Sequence, residues 1–310
     1  MLSDLLGSDK KIFKLVCGAG NECAQDVERL SYLYSRAGAQ IFDICAKPEI
    51  LEAAKRGLKG QNAYICVSVG MKGDPHIFKA AMNKNCTQCG ICEKFCPQDA
   101  IKKNLINSEK CIGCSRCLNH CPNDAISMTE KEQDLKKVLP KLIEMGIDCI
   151  ELHATSEIDA DIWEKWDIIN NCYDGIVSIC IDRLNLGNKQ VLKRLNKMLK
   201  IRKPYTTIIQ ADGIPMSGSN DDYKTTLQAV AMAEIIQDAN MPVYILISGG
   251  TNSKTAKLAN ICNLNYQGIA IGSYARQIVK PYIQNADFYK EEIFNQALSK
   301  ATELVKASII

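Results

Sequence analysis

Two stretches, "NCTQCGICEKFCPQDAI" (85–101) and "KCIGCSRCLNHCPNDAI" (110–126), carry the same spacing of cysteines. Each runs Cys, two residues, Cys, two residues, Cys, three residues and then Cys-Pro. We call them the first and the second cysteine motif. Their eight cysteines are half of the 16 in the chain. In a reducing cytoplasm, cysteines spaced this closely favour metal binding over a disulfide framework.

The repeated spacing is the signature of bacterial ferredoxins, in which the fourth cysteine of each motif binds the cluster of the other motif. It therefore predicts two [4Fe-4S] clusters. One is expected to be bound by Cys86, Cys89, Cys92 and Cys121, and the other by Cys111, Cys114, Cys117 and Cys96. The alternative is one iron–sulfur cluster together with one zinc site. Structural zinc sites usually combine two separated ligand pairs, whereas each motif offers three cysteines in quick succession.

The residues between these cysteines suit cluster binding. Gly90 and Gly113 permit positive φ, which lets backbone N–H groups approach sulfur. A proline follows the fourth cysteine of each motif and turns the chain away. Four isoleucines can shield the clusters or simply pack a small domain: Ile91, Ile101, Ile112 and Ile126.

Outside the two motifs, eight short apolar runs alternate with amphipathic segments. The runs are "IFKLVCGAG" (12–20), "QIFDICA" (40–46), "AYICVSVG" (63–70), "IDCIELHA" (147–154), "GIVSICID" (175–182), "YTTIIQAD" (205–212), "VYILISGG" (243–250) and "GIAIGS" (268–273). Helical patterns are clearest at 25–37, 48–58, 131–145, 187–201, 223–239 and 253–262. Near-continuous apolar strands separated by helices indicate a parallel sheet covered by helices.

A count of eight strands favours closure into an α/β fold of the (β/α)8 TIM-like barrel type, with a bacterial-type 2[4Fe-4S] ferredoxin module inserted. Without residues 86–128, roughly 270 residues remain, near the ~250 of a typical barrel. The alternative is a doubly wound open sheet. We expect residues 1–83 to form strands 1–3, residues 84–129 the insert, and residues 130–310 strands 4–8. An insertion after the third strand would hold both clusters over the face where barrel active sites are built.

The end of the chain carries a second pattern typical of barrels. Paired glycines close strand seven in "ISGGTNSKTAKLA", and a Gly-Ser pair follows strand eight in "GIAIGSYARQIV". Loops after strands seven and eight commonly bind phosphate beside a helix N-terminus. The candidate residues for a phosphate, such as that of FMN, are Gly249, Gly250, Thr251, Gly272 and Ser273. Tight turns without a ligand are the alternative.

Several polar residues fall where strands should end: Asp43, Glu151, His153, Asp182, Gln210 and Asp212. Glu151 and His153 are two apart and so face the same side of a strand. They could serve acid–base chemistry, but we favour hydrogen bonding to nearby loops. Five further cysteines lie mostly inside apolar runs and are read as small hydrophobes: Cys17, Cys45, Cys66, Cys149 and Cys180. The loop "QADGIPMSGSNDD" (210–222) is expected to be mobile or lid-like and to contact substrate, with a solvated loop as the alternative.

Composition excludes several classes of protein. Of the 310 residues, 46% are hydrophobic and 24% charged, which is ordinary for a globular protein. The net charge of +3 and the scattered Lys and Arg residues predict no nucleic-acid surface. We expect no membrane span, because no segment approaches the ~18 apolar residues required. No cationic leader precedes an apolar run, which favours a cytoplasmic location.

Over nearly its whole length, the chain resembles the LdpA family of iron–sulfur proteins. The resemblance rests on the double cysteine motif and on segments outside it. These segments are "FKLVCGAG", "AGAQIFDICAKPEILEAAKRGL", "SVGMKGDPHIFKA", "IELHATSE", "QADGIPMSG", "ISGGTN" and "IAIGSYAR". The resemblance implies a [4Fe-4S] protein that acts in redox sensing or electron transfer. It implies the eight motif cysteines as cluster ligands and implies no catalytic residue.

The function that we predict is transfer of single electrons by two clusters to a redox partner protein or to a small ligand at the barrel mouth. Two adjacent clusters form a short electron path that a structural metal site would not need. The first alternative is an oxidoreductase in which the clusters feed a flavin or another phosphate-containing cofactor. The second alternative is a regulatory protein whose partner binding responds to cluster oxidation.

Overall fold

The computed structural model describes residues 1–18, 20–155, 159–214 and 220–310. Over these residues the chain forms twelve strands and twelve α-helices. The strands are β1 (Ile12–Val16), β2 (Ile41–Cys45), β3 (Tyr64–Val69), β4 (Phe78–Met82), β5 (Ile101–Lys102), β6 (Leu105–Ile106), β7 (Ile126–Glu130), β8 (Cys149–His153), β9 (Ile176–Ile181), β10 (Thr207–Asp212), β11 (Tyr244–Ser248) and β12 (Gly268–Ile271).

The helices are α1 (Leu2–Leu6), α2 (Ala24–Arg36), α3 (Pro48–Leu58), α4 (Ile91–Phe95), α5 (Arg116–Asn119), α6 (Leu135–Glu144), α7 (Asp159–Cys172), α8 (Asn188–Leu199), α9 (Tyr223–Asp238), α10 (Thr255–Ile261), α11 (Ser273–Ile283) and α12 (Glu291–Ser308). A 3-10 turn, Pro75–Ile77, precedes β4. In the part of the chain that the structure describes, no helix is long and apolar enough to cross a membrane.

Eight parallel strands close into a barrel in the order β1, β12, β11, β10, β9, β8, β3, β2. The first strand completes the circle, because Lys14 on β1 lies opposite Ala270 on β12 and opposite Ile41 on β2. Strand β3 pairs directly with β8, with Cys66 opposite Cys149. The prediction of a closed (β/α)8 barrel is therefore confirmed.

Side chains alternate between the inside of the barrel and the helical layer, as the two-residue period of a strand requires. On β1, Phe13 and Leu15 face outward and are fully buried beneath the helices. Ile12 faces inward at the bottom of the barrel, where it packs with Leu2 and Leu6 of α1. Each such apolar side chain stabilises the fold by about 1.5–3 kcal/mol relative to exposure. Helix α1 thus closes the N-terminal end of the barrel.

The first two barrel helices pack very closely because of one glycine. A Cβ atom on Gly57 of α3 would lie 2.3 Å from the carbonyl oxygen of Glu28 and 2.9 Å from Cβ of Ser31, both on α2. A methyl group there would push the helices apart. Helix α3 also begins with Pro48 in its first turn, where the missing N–H costs no hydrogen bond.

The chain leaves the barrel after β3 and returns to it before α6. Strands β4 and β7 form an antiparallel pair, which we call the stem, with Phe78 opposite Glu130 and Met82 opposite Ile126. Both cysteine motifs lie between the stem strands, together with the hairpin β5–β6 and the short helices α4 and α5. The domain boundaries at 83/84 and 129/130 stay a prediction.

The two cysteine motifs have matching backbones. Gly113 in the second motif has φ of 72°, and its counterpart in the first, Gln88, has φ of 58°. Gly90 has φ of 72°, and its counterpart Ser115 has φ of 56°. The rings of Phe95 and His120, each immediately before the fourth cysteine, stack with centroids 3.7 Å apart. The motifs thus repeat as structure as well as sequence, and they meet at this ring pair.

Buried and partly buried polar contacts hold the insert against the barrel. The Lys79 ammonium donates to the carbonyl oxygens of Gly20 and Cys111, each at 2.7 Å. It also lies 3.2 Å from a carboxylate oxygen of Glu22. On α11, Lys280 lies 2.7 Å from Oδ2 of Asp99 in the first motif. Both motifs are therefore fixed to loops and helices at the C-terminal face of the barrel.

Candidate iron–sulfur sites and barrel-mouth pocket

The eight motif cysteines separate into two groups, each around its own cavity. One cavity is lined by Cys86, Cys89, Cys92 and Cys121, and the other by Cys96, Cys111, Cys114 and Cys117. Each group thus combines three cysteines of one motif with the fourth cysteine of the other. The remaining lining is mostly apolar, including Ile91 and Ile126 around the first cavity and Ile101 and Ile112 around the second. Low polarity and four soft sulfur ligands fit an iron–sulfur cluster.

Backbone amides point at several of these sulfurs. Ala100 and Ala125 donate to Sγ of Cys96 and Cys121 at 3.2 and 3.3 Å. The N–H of Ala80, on the stem, lies 3.3 Å from Sγ of Cys111. Such donors stabilise thiolate charge and help to set a cluster's potential. Burial raises the pKa of the Cys117 thiol to about 11, so a cationic metal centre would be needed to keep it ionised.

Inside the barrel, a layer of polar side chains crosses the interior at mid-height. We call it the polar layer; its members are Lys14, Asp43, Ser68, Glu151, Ser178 and Gln210, all buried. The Lys14 ammonium lies 2.5 Å from Oε2 of Glu151, 3.0 Å from Oδ2 of Asp43 and 2.7 Å from Oε1 of Gln210. Glu151 accepts further hydrogen bonds from Ser178 and Gln210. Glu151 is thus held by side chains of barrel strands, whereas His153 contacts the loop residue Asp74, so the expected bonding to loops is seen for His153 and not for Glu151.

The charges of this layer shift the pKa values of its members. Burial alone would lower the pKa of Lys14, but Asp43 and Glu151 outweigh it and hold the pKa well above its ordinary value. Burial would raise the pKa of Glu151, and Lys14 and His153 instead lower it. Burial raises the pKa of Asp43 to about 6 despite the contact with Lys14.

Directly above the polar layer, one carboxylate joins two imidazoles. Oδ2 of Asp74 lies 2.9 Å from Nδ1 of His153, and its Oδ1 lies 2.7 Å from Nδ1 of His76. Nε2 of His153 lies 3.4 Å from Oε1 of Glu151. Burial would lower the pKa of His153, but Asp74 and Glu151 hold it well above its usual value. His153 is therefore held between two carboxylates that favour its protonated form.

Two other carboxyl groups at the barrel mouth are biased towards the neutral form. Burial raises the pKa of Asp182 to about 6. Burial also raises the pKa of Asp212, whose Oδ2 accepts a hydrogen bond from the Cys180 thiol at 3.2 Å. Among the described residues, Oδ1 of Asp212 has no hydrogen-bond partner. Groups whose environments push their pKa values in opposite directions are the usual basis of acid–base pairs.

All five residues of the predicted phosphate loops line one cavity of about 70 Å³ at the barrel mouth. Gly249 and Gly250 have φ of 68° and 80°, which side chains other than glycine rarely adopt. The Thr251 hydroxyl donates to the carbonyl oxygen of Ala270 at 2.6 Å, so it braces the loop. Gly272 precedes the first residue of α11, Ser273. The structure brings these residues together, and phosphate binding stays a prediction.

The same cavity reaches from the barrel to the insert. It is lined by His76, His153, Gln210 and Asp212, and also by Ile112, which lies between two cysteines of the second motif. A second cavity of about 280 Å³ lies beside it, and Cys114 is part of its wall. The sulfur-lined cavity of the second motif and the barrel mouth are thus separated by a single layer of residues. Residues 215–219 lie outside the described residues, so the lid-like loop stays a prediction.

Several residues of this site were missed in the sequence. Lys14, Asp74 and His76 carry the charge network, and Arg276 lines both cavities. A signal existed for Lys14, which is the only charged residue of the run "IFKLV". Asp74 and His76 sit in a loop that no periodicity singles out.

Comparisons with known proteins cover most of the chain. Residues 141–309 match the family model described as "Light dependent period A C-terminal domain", and residues 82–132 match "LdpA Fe-S cluster-binding domain". A curated protein described as "Light dependent period A", from Synechococcus elongatus, is 29% identical over 320 residues. The match covers 94% of this chain and 90% of that protein.

Solved structures with a similar chain path are barrel enzymes. A truncated 3-deoxy-D-arabino-heptulosonate 7-phosphate synthase from Thermotoga maritima has a TM-score of 0.47 and 13% identity, covering 96% of this chain and 87% of that one. Tryptophan synthase from M. tuberculosis has a TM-score of 0.47 and 9% identity, covering 99% and 98%. These likenesses carry no argument about function, and the closed barrel rests on its own strand pairing.

Proposed function

The chain belongs to the light dependent period A family, and from this membership we propose that it is an electron-transfer protein with two [4Fe-4S] clusters. The clusters pass single electrons to a partner protein or to a ligand at the barrel mouth. The observation that carries the proposal is the division of the cysteines into two groups of four, each with one member from the other motif.

Residues of the chain form and support both cysteine-lined cavities. Four thiolates close each cavity, and the N–H groups of Ala80, Ala100 and Ala125 support three of the sulfurs. Apolar side chains exclude water, which strengthens these hydrogen bonds. When bound, the clusters supply one-electron redox chemistry.

The position of the second group supports delivery to the barrel. Ile112 lines both the sulfur cavity of the second motif and the mouth cavity. Lys79 and Lys280 fix the insert at this distance from the barrel through buried and half-buried contacts. A rigid, short separation is what electron transfer between two sites needs.

One observation favours the flavin-dependent oxidoreductase as a second candidate. The loops after β11 and β12 line a cavity with two carboxyl groups, Asp43 and Asp212, whose pKa burial raises, and with His153, whose pKa is raised by Asp74 and Glu151. A bound flavin would place its phosphate at these loops and its ring in the adjoining cavity of about 280 Å³. FMN released on denaturation of the purified protein would support this candidate, and its absence from freshly purified protein would count against it.

The test of the electron-transfer proposal is anaerobic purification with assays of iron and acid-labile sulfide. About eight irons and eight sulfides per chain are expected for two cubane clusters. The protein should also show EPR signals after dithionite and then reduce a one-electron dye stoichiometrically. Colourless protein, or a zinc content that replaces half of the iron, would overturn the proposal.

A further inference from the structure

Arg276, on the first turn of α11, is a buried cation without a carboxylate partner. Only 9% of the residue is exposed. Its Nη1 donates to the carbonyl oxygen of Val16 at 2.7 Å, and its Nε has no hydrogen-bond partner among the described residues. No carboxylate oxygen of the described chain lies within 4.0 Å of its guanidinium. A guanidinium stays charged in proteins, so this charge is buried without a direct ion pair, and Asp43 acts on it only from a greater distance.

Three buried lysines each pair with a carboxylate, whereas buried Arg29, like Arg276, donates to backbone carbonyl oxygens, those of Ile283 and Asn285. The ammonium groups of Lys14, Lys79 and Lys165 lie 2.5, 3.2 and 3.1 Å from a carboxylate oxygen. Burial lowers the pKa of Arg276, which reflects the cost of holding its charge away from water. Leaving a buried charge unpaired is strongly destabilising. An anion that is not part of the chain would remove this cost.

Two glycines beside the Arg276 guanidinium leave space for an anion to approach it closely. A Cβ atom on Gly272 would lie 3.3 Å from Nη1 of Arg276, and one on Gly18 would lie 3.5 Å from it. Arg276 therefore lies between two glycines, beside the start of α11. The backbone N–H groups of that first turn add a favourable field for an anion.

Arg276 also lies where the two cavities meet. It is shared by the wall of the 70 Å³ mouth cavity and by the wall of the 280 Å³ cavity, as are Ile112 and Ser273. The larger cavity approaches the roughly 300–1,000 Å³ of typical small-molecule sites and far exceeds the need of a bare anion. Its wall is mixed, with apolar Leu30, Pro97 and Ile283 and the amides of Gln98 and Gln277.

We propose that Arg276 binds the phosphate group of an organic phosphate monoester whose body occupies the larger cavity between α11 and the insert. The phosphate lies against the loops after β11 and β12, and the body lies beside Cys114. This inference deepens the proposed function, on which it rests, by naming the class of ligand at the barrel mouth. The mixed wall suits a flat ring system with polar edges, for which FMN is the probe.

The experiment measures binding to the intact, anaerobically purified protein with its metal content assayed in every sample. Isothermal titration with inorganic phosphate, FMN and riboflavin is applied to the wild type and to Arg276→Met, Arg276→Lys and Arg56→Met. Arg56 is exposed and pairs with Glu28, and neither residue lines the two cavities, so Arg56→Met controls for the loss of one positive charge. Arg276→Lys keeps the charge if the methionine variant does not fold.

We expect the wild type and Arg56→Met to bind FMN more tightly than riboflavin. Arg276→Met should lose about tenfold or more in FMN and phosphate affinity, as for a lost hydrogen-bonded charge pair, and should bind riboflavin unchanged. The FMN and phosphate affinities of Arg276→Lys should lie between those of the wild type and Arg276→Met. Equal FMN affinities in wild type and Arg276→Met, or no binding of either phosphate or FMN, would overturn the inference. Phosphate binding without FMN binding would refute the assignment of the larger cavity to the ligand body.

These outcomes separate the inference from the proposed function. A full complement of iron and sulfide with no effect of Arg276→Met refutes the ligand site alone. A protein without iron refutes the proposed function whatever it binds.

Discussion

The Nζ atom of Lys14 on β1 lies 2.5 Å from Oε2 of Glu151 on β8, across the interior of the barrel. Both side chains are almost fully buried, with 2% and 1% exposed. Barrel interiors are usually filled by branched apolar side chains. Here Lys14 pairs with two anions, Glu151 and Asp43, in place of one apolar layer. The interior of the barrel therefore carries buried charge.

Removing one member of this network should be costly. We expect Lys14→Met to lower the free energy of unfolding by about 3–5 kcal/mol, because Asp43 would lose its cation and Glu151 would keep only His153, 3.4 Å away. Urea unfolding followed by circular dichroism measures the change. Arg56→Met, which breaks the exposed pair with Glu28, should cost less than about 1 kcal/mol. Equal losses in the two variants would contradict this prediction.

The raised pKa of His153 predicts a pH dependence of stability. Because its folded-state pKa lies above the unfolded value of about 6.5, its contribution is complete below pH 6.5 and is lost as the pH rises towards the folded pKa. The loss amounts to at most about 1.4 kcal/mol per pH unit. The stability advantage of the wild type over His153→Gln should therefore shrink between pH 6.5 and 8.5.

Asp74→Asn provides the check on this assignment. It removes a carboxylate 2.9 Å from Nδ1 of His153, so its stability should fall less steeply with pH than that of the wild type. The pKa of Asp74 itself is held well below its usual value by His76 and His153, against the effect of burial, so Asp74 does not titrate in this range. Parallel curves for all three proteins would rule out His153 as the titrating group.

Two glycines with the same φ should respond differently to a methyl group. Both Gly90 and Gly113 have φ of 72°. A Cβ on Gly113 would lie 1.7 Å from the carbonyl oxygen of Pro75, whereas one on Gly90 would meet nothing within 4 Å. Gly90→Ala should cost only the ~1–2 kcal/mol of a left-handed alanine. Gly113→Ala should also displace the second motif from the barrel and lower the iron content, which metal analysis would show.

Exchange of the fourth cysteines between the motifs can be tested directly. Cys121→Ala and Cys86→Ala should perturb the same EPR signal, while Cys96→Ala and Cys111→Ala perturb the other. Each variant should lose about four of the expected eight irons. Cys262→Ala is the control, because Cys262 is exposed and distant in sequence from both motifs. If Cys121→Ala instead matched Cys111→Ala, each motif would serve its own cluster.

Much of the fold could be predicted because its signals are local. Each barrel strand is an apolar run of four to six residues, and each falls within a run identified in the sequence. Helices α7, α11 and α12 were missed. On α7, polar and buried residues are mixed, as where Asp161 and Lys165 pair in a buried position, so no clean apolar face marks this helix.

The charged part of the site could not be predicted for a different reason. Asp74 and His76 become important only because the 3-10 turn before the stem lies over the end of β8, which is far along the chain. Arg276 looks like an ordinary cation in a helical segment until its burial and its lack of a carboxylate partner are known. Such roles depend on tertiary contacts and leave no periodic trace in the sequence.

The antiparallel stem has a structural consequence for the barrel itself. Because β4 and β7 run side by side, the outgoing and returning chains are only about 5 Å apart where they join the barrel. Strand β3 still pairs with β8 in register. An insert whose two ends lie this close together does not disturb the pairing of the barrel strands. The pairing of the barrel strands is therefore kept although the chain carries a long insert between β3 and α6.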